Sequence, residues 1–179
     1  MVLPANTLFD DECIRDERSS LGSFFLRHFP TGIDELQRQL RVRAGIANGS
    51  QTTASPGTAV LLDKPHGTRH RVTVAAVTTV EQESGIHADT LSIVSAVKKV
   101  FKLASQSRIS SLTMPVMGTG HGGLDFRAAL SLLPVQSVHC MEREGGHEVH
   151  ELSIVVYNPD AQKRQTIASV VNSVATIFR

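Results

Sequence analysis

From Arg71 to the C-terminus the chain alternates three strand-like apolar runs with three longer helix-like ones, an order that few folds accept. "RVTVAAVTTV" is rich in Val and Thr and reads as a strand. "HADTLSIVSAVKKVFKLASQS" spaces Leu91, Val94, Val97, Phe101 and Ala104 three or four apart, which predicts an amphipathic helix with those residues in the core. "ISSLTMPVM" then "LDFRAALSLLPVQSVHCMERE", and "HELSIVVYN" then "PDAQKRQTIASVVNSVATIFR", repeat the pair. A break or kink is expected at Pro134, and Pro159 with Asp160 signals a helix start. This alternation implies right-handed crossovers and a mostly parallel sheet covered on both faces. The nearly continuous apolar run "SIVVY" fits a strand buried on both sides. "TAVLLD" can pair with the Val/Thr strand as an antiparallel hairpin, which makes the sheet mixed. The fold class is therefore α/β, three layers in the order α/β/α.

The first half reads less regularly. "MVLPAN" is a short buried strand ending at Asn6, and "TLFDDECIRDERSS" an acidic, irregular loop. "SSLGSFFLRHFP" is a short helix that Ser19 or Ser20 can cap and Pro30 closes. "TGIDELQRQLRVRAG" supplies another helical turn or two, ending at Gly45. "IANGSQTTASPG" and "KPHGTRH" are a loop and a turn. The 179 residues suit one domain over the whole chain.

Composition removes several functions. With 18 basic and 17 acidic side chains the net charge is +1, without the basic excess of a nucleic-acid backbone binder. Seven Phe, one Tyr and no Trp leave few platforms for stacking bases. Cys13 and Cys140 form neither a metal-ligand pair nor a disulfide framework, which fits a reduced, cytoplasmic setting. His139, His147 and His150 near Cys140 are too loosely spaced for a zinc frame and read as surface residues. No apolar run is long enough to span a bilayer, so no direct membrane contact is expected.

"MPVMGTGHGGLDF" carries four glycines between a strand and a helix. Each ordered glycine costs conformational entropy, so the cluster implies special dihedrals or a closely approaching ligand. Successive N–H groups before a helix N-terminus favour an anion. A P-loop would continue with Lys and Ser or Thr, whereas Leu124 and Asp125 follow here. A Rossmann fingerprint would lie in the first strand–helix unit, not after the penultimate strand. A turn needed only for packing is the competing reading, and the ligand reading is the stronger. Thr119 adds a hydroxyl, and His121 can reach past the phosphates.

At these residues the chain resembles the macro domain family, which binds ADP-ribose. "TMPVMGTGHGGLDFRAAL" matches the family's strand, phosphate loop and helix in order and spacing. "VLPAN" matches its first strand, with Asn6 where an asparagine contacts the distal ribose. "HELSIVVYNPDAQKRQTIASVVNSV" matches its closing unit, with Tyr157 near the aromatic beside the adenine or ribose. The usual glycine-rich first loop is replaced by "TLFDDECIRDERSSLGSFF". That acidic version is most similar to the divergent macro domains of Thoeris antiphage-defence effectors, in which a membrane-spanning part precedes the domain. The start at Met1 fits a soluble fragment of such a membrane-anchored parent. The family's adenine-reading acid has no counterpart that the sequence places.

The resemblance implies a binding module, not an enzyme, that senses an ADP-ribose-derived nucleotide, for example a histidine–ADP-ribose conjugate made by a TIR-domain partner. It implies no further cofactor and no metal. The alternative is a hydrolase acting on ADP-ribosylated protein or ADP-ribose esters, and a third reading is an empty scaffold serving homo-oligomer formation. The expected ligand-binding set is Asn6, Asp10, Asp11, Ser20, Gly22, Val116, Gly118, Thr119, Gly120, His121, Gly122, Gly123, Leu124, Tyr157 and Asn158. Among the loop acids Asp10 and Asp11 are preferred over Glu12 and Asp16 because they lie nearest Asn6. They would meet a ribose hydroxyl or a cationic group on the distal end, the bland reading being a solvated loop. Ser20 and Gly22 can donate to phosphate from a helix N-terminus, a plain cap being the competing role of Ser20. Arg15 and Arg18 offset the acids or touch phosphate, with solvent exposure as the default.

Overall fold

The computed structural model describes residues 1–47, 52–65, 71–81, 85–143 and 146–177. Among these residues six strands run in the order β1 (Val2–Asn6), β2 (Ala59–Leu62), β3 (Val72–Glu81), β4 (Gly85–Ala88), β5 (Ser111–Pro115) and β6 (Glu151–Val155). Among the same residues six helices accompany them: α1 (Asp11–Ile14), α2 (Ser20–His28), α3 (Ile33–Arg43), α4 (Thr90–Gln106), α5 (Phe126–Arg143) and α6 (Ala161–Ile177).

β3 is the hub. β1 pairs with it in parallel along one edge, with a register shift between Ala5 and Asn6. β2 and β4 both pair with it antiparallel, β2 over Val72–Ala75 and β4 over Thr78–Glu81. β5 and β6 form a parallel pair, and β5 lies against β1. The sheet is mixed, and β2 pairs with β3 as the hydrophobic pattern implies.

Strand alternation divides the core. Leu3, Ala5, Val60, Leu62, Val72, Val74 and Ala76 face α1–α3 and pack with Phe9, Ile14, Phe25 and Leu36. Val2, Ala75, Val77, Leu112 and Met114 face the opposite way, onto Val97, Phe101 and Leu133 of α4 and α5. Helices thus cover both faces, the three-layer arrangement expected.

Five sequence expectations change. The helix expected from His87 begins at Thr90, because Gly85–Ala88 is a strand on β3 and Asp89 caps the helix, accepting from the Ser92 N–H at 2.8 Å. Leu91 is 77% exposed rather than core. Val97, Phe101 and Ala104 are buried as expected, Val94 is half-buried, and Ile93, Ala96 and Val100 complete the stripe that meets the sheet. β6 is not covered on both sides: Glu151, Ser153 and Val155 are exposed between half-buried neighbours, because the α1–α3 core contains no residue of β5 or β6. Finally, α5 runs through Pro134 without a break, and the acidic loop holds the single-turn α1. Most of the expected turn at "KPHGTRH", part of "IANGSQTTASPG" and the end of the last helix lie outside the described residues. Among the described residues no helix is long and apolar enough to cross a membrane.

Candidate functional site

β1 and β3 are parallel, as are β5 and β6, and the ends of β1, β5 and β6 meet the starts of α2 and α5 at a cleft of about 460 Å³. One wall is the glycine loop after β5. Gly118 (φ +83°) accepts from the Leu124 N–H at 3.0 Å, and Gly123 (φ +67°) donates to the Gly120 carbonyl at 3.1 Å. The Gly122 carbonyl accepts from the Ala88 N–H at 2.9 Å, which ties the loop to β4. With the loop folded this way, the N–H groups of Thr119, Gly120, His121 and Gly122 have no protein acceptor among the described residues. The glycines have separate reasons. A Cβ on Gly118 would sit 2.9 Å from Ile93 Cδ1, and one on Gly122 2.6 Å from Ala88 Cβ and 2.8 Å from the Gly118 oxygen. A Cβ on Gly120 would meet open space.

The second wall is the start of α2. Ser19, not Ser20, is the cap: its Oγ accepts from the Gly22 N–H at 2.8 Å and donates to the Cys13 carbonyl at 2.9 Å. Ser20 lines the cleft, and the N–H groups of Ser20 and Leu21 have no acceptor among the described residues. Gly22 does not line the cleft; a Cβ there would lie 2.2 Å from the Asp16 carbonyl oxygen, so its role is to let the Asp16 turn close onto the helix. Asp16 connects the two walls, its Oδ2 3.4 Å from His121 Nε2. Arg18 donates to Asp16 from Nε and from its backbone N–H, both at 3.0 Å, and this pairing, with His121 adding a smaller effect, holds the Asp16 carboxyl below its usual range.

At the end of β1, Asn6 is 2% exposed and its side chain is largely engaged. Oδ1 accepts from the Leu8 and Phe9 N–H groups at 3.2 and 2.9 Å, and Nδ2 donates to Asp10 Oδ1 at 2.9 Å. This turn holds Phe9 at φ +48°. Asn6 lines the cleft with one amide hydrogen left over. Asp10 and Asp11, the preferred acids, do not line it: Asp10 faces Asn6, and Asp11 binds Arg15 at 2.9 Å, which also pairs with Asp34. The acid on the cleft wall is Glu12, beside Cys13 and Arg18.

Burial pushes the Cys13 thiol up to about 12, so it stays protonated at neutral pH. In iodoacetamide labelling at pH 8 followed by mass spectrometry, Cys13 is expected to alkylate at least about 100-fold more slowly than a free cysteine, since the thiolate is the reactive form.

The opposite end is apolar. Pro115, Phe126, Val155, Val156 and Tyr157 line it from β5, α5 and β6, with Tyr157 93% exposed at the rim, while Ile86 lines the cleft from β4 on the β3 side. Lys163 Nζ stands 5.8 Å from the Phe126 ring centroid. Of the expected set, Asn6, Ser20, Val116, Gly118, Thr119, Gly120, His121, Gly122 and Tyr157 line the cleft. Gly123, Leu124 and Asn158 do not; the first two shape the loop, and Asn158 (φ +39°) turns the chain toward α6. Sequence reading passed over Thr78, Ile86, Phe126 and Lys163. Ile86 lies on the strand it did not foresee, whereas Phe126 directly follows the loop and was available to it. Among the described residues no group of three His, Cys, Asp or Glu could hold a metal, and His139, His147 and His150 are exposed.

Residues 31–133, more than half the chain, match the family model described as Macro domain. The chain belongs to the macro domain family. No curated protein matches its sequence. Solved structures share the macro domain fold at low identity. The Oceanobacillus iheyensis macrodomain with ADP has a TM-score of 0.71 at 9% identity, with 98% of this chain and 84% of that one covered. The macrodomain of Thermus aquaticus DarG has 0.56 at 16%, covering 88% and 87%. Thermosipho africanus DarTG in complex with ADP-ribose has 0.60 at 12%, covering 95% and 41%.

Proposed function

We propose that this macro domain is a reader of an ADP-ribose derivative. The observation that carries the reading is that unsatisfied N–H groups, the row Thr119–Gly122 and that of Ser20 at the start of α2, stand on the two walls of one cleft. Two such donor sets suit the two phosphates of a pyrophosphate, each set strengthened by a helix N-terminus or a turn of successive amides. The apolar end with Tyr157 and Phe126 then takes the adenosine, and Asn6, Glu12 and His121 flank the distal ribose. Val116, Gly118 and Ser20 complete the backbone contacts. The ADP-ribose held by Thermosipho africanus DarTG supports this choice of ligand.

In its fuller form the proposal is a sensor in bacterial antiphage defence. A TIR-domain partner makes a histidine–ADP-ribose conjugate or a related signal, and the domain reads it from the cytoplasmic side of a membrane-anchored parent. Binding acts by differential affinity for two assembly states. Reading rather than hydrolysis is favoured by Cys13, which stays protonated, and by the Asn6 oxygen, which is committed to its turn.

Calorimetric titration with ADP-ribose and a histidine–ADP-ribose conjugate, with chromatography of the mixture, tests this. Saturable binding without product is expected, and release of ADP-ribose from ADP-ribosylated protein would instead make the domain a hydrolase. Gly120→Val should lower affinity about tenfold or more with an unchanged melting temperature, because the new side chain has free space at the cleft wall. Unaltered affinity in that variant would remove the loop from the phosphate site.

A further inference from the structure

Five acids, Asp10, Asp11, Glu12, Asp16 and Glu17, crowd the loop between β1 and α2, and the structure separates them by partner and by place. Asp10 receives the Asn6 amide, Asp11 binds Arg15, and Asp16 is held by Arg18 and His121. Glu17 is exposed and off the cleft, and Glu12 alone of the five lines the cleft, with no hydrogen bond or ion pair among the described residues. The nearest cation on the same wall, Arg18, directs its guanidinium at Asp16. Lys163, the cation among the lining residues of the apolar end, lies beside Asp160 and Phe126. On the cleft wall near Asn6, Glu12 therefore presents a carboxylate with no partner among the described residues, in front of Asp10, which is hydrogen-bonded by the neutral Asn6 amide, and the phosphates would be served by backbone N–H groups instead.

We propose that Glu12 sets the charge specificity of the site, favouring an ADP-ribose derivative whose distal ribose carries a cationic group. An amine, a guanidinium or an N-glycosylated heteroaromatic cation meets that description. The inference rests on the ADP-ribose reading above and adds to it the residue and the sign of the charge. An exposed carboxylate a few ångströms from a unit charge in a largely aqueous cleft favours the cation by about three- to tenfold in affinity.

NAD⁺ and NADH test this directly, since they differ little in shape but carry a charged and a neutral ring on the distal ribose. The chain is titrated with ADP-ribose, NAD⁺ and NADH at low and high salt. It should bind NAD⁺ about three- to tenfold more tightly than NADH, and the ratio should shrink as salt screens the pair. Glu12→Gln should bring the ratio to about one, and Glu12→Lys should invert it. Equal affinities in the native chain, a preference that survives Glu12→Gln, or rejection of both dinucleotides while ADP-ribose binds would each overturn the role of Glu12. Failure to bind ADP-ribose itself would instead bring down the underlying reading.

Discussion

Gly122→Val should cost this protein both its ligand and part of its fold, in contrast to Gly120→Val two residues earlier. A Cβ at Gly122 would lie 2.6 Å from Ala88 Cβ, 2.8 Å from the Gly118 oxygen and 2.9 Å from Thr78 Cγ2. None of these is the end of a flexible side chain: Ala88 is on β4, Thr78 on β3, and the oxygen belongs to the loop itself. The loop must move off β4, which removes the bond from Ala88 N–H to Gly122 oxygen. Overpacking of this kind costs about 1–3 kcal/mol. Affinity for ADP-ribose should fall by about 100-fold or more, since two N–H bonds to a charged phosphate are worth about 3 kcal/mol together. Thermal denaturation and calorimetry read the two losses. The assignment of Gly122 to packing fails if the melting temperature stays at the native value.

Asn6→Asp is the second large effect. The substitution keeps an acceptor for the Leu8 and Phe9 N–H groups but places a second carboxylate 2.9 Å from Asp10 Oδ1, where Nδ2 now donates. Asn6 is buried, so the repulsion is poorly screened, and a loss of about 2–4 kcal/mol is expected, together with acid-dependent recovery. Exchanging the pair, Asn6→Asp with Asp10→Asn, restores one donor and one carboxylate across the same gap. Stability should return to within about 1 kcal/mol of native by a double-mutant cycle in urea. ADP-ribose affinity in the exchanged protein decides how Asn6 acts. Recovery means that it acts by building the turn that carries Glu12 and Cys13, and a persistent deficit means that its remaining amide hydrogen touches the ligand.

The particular residues show how far the sequence reaches. The glycine loop was legible because glycine is expensive: four in a short stretch between a strand and a helix admit few explanations, and Thr119–Gly122 do lie on the cleft wall. The acids were not legible in the same way. Asp10, Asp11, Glu12 and Asp16 are chemically alike and adjacent in sequence, and nearness to Asn6 favoured the wrong two for the wall. Arg15, just after α1, and Asp34 on α3 help settle which acid is taken up elsewhere. Gly22 misled for a related reason. A glycine at a helix start suits phosphate approach, yet its hydrogen faces the Asp16 backbone.

Leu91 and "SIVVY" make the same point for the fold. Hydrophobic spacing fixes the period of a helix or strand, but the phase and the number of covered faces depend on what packs against it. α4 turns Ile93 rather than Leu91 to the sheet, and β6 leaves Val155 exposed because α1–α3 do not extend over it.

By itself, then, the sequence determined the alternation of strands and helices, the mixed α/β sheet and the phosphate-loop candidate, because these rest on local costs: hydrophobic period, capping and backbone freedom. Only the tertiary structure decided that Ser19 caps α2, that Asn6 spends its oxygen on a turn, and that Glu12 is the loop carboxylate standing on the cleft wall. Hydrogen bonds and ion pairs are claimed by whichever group arrives within about 3 Å, and the folded chain alone sets those arrivals.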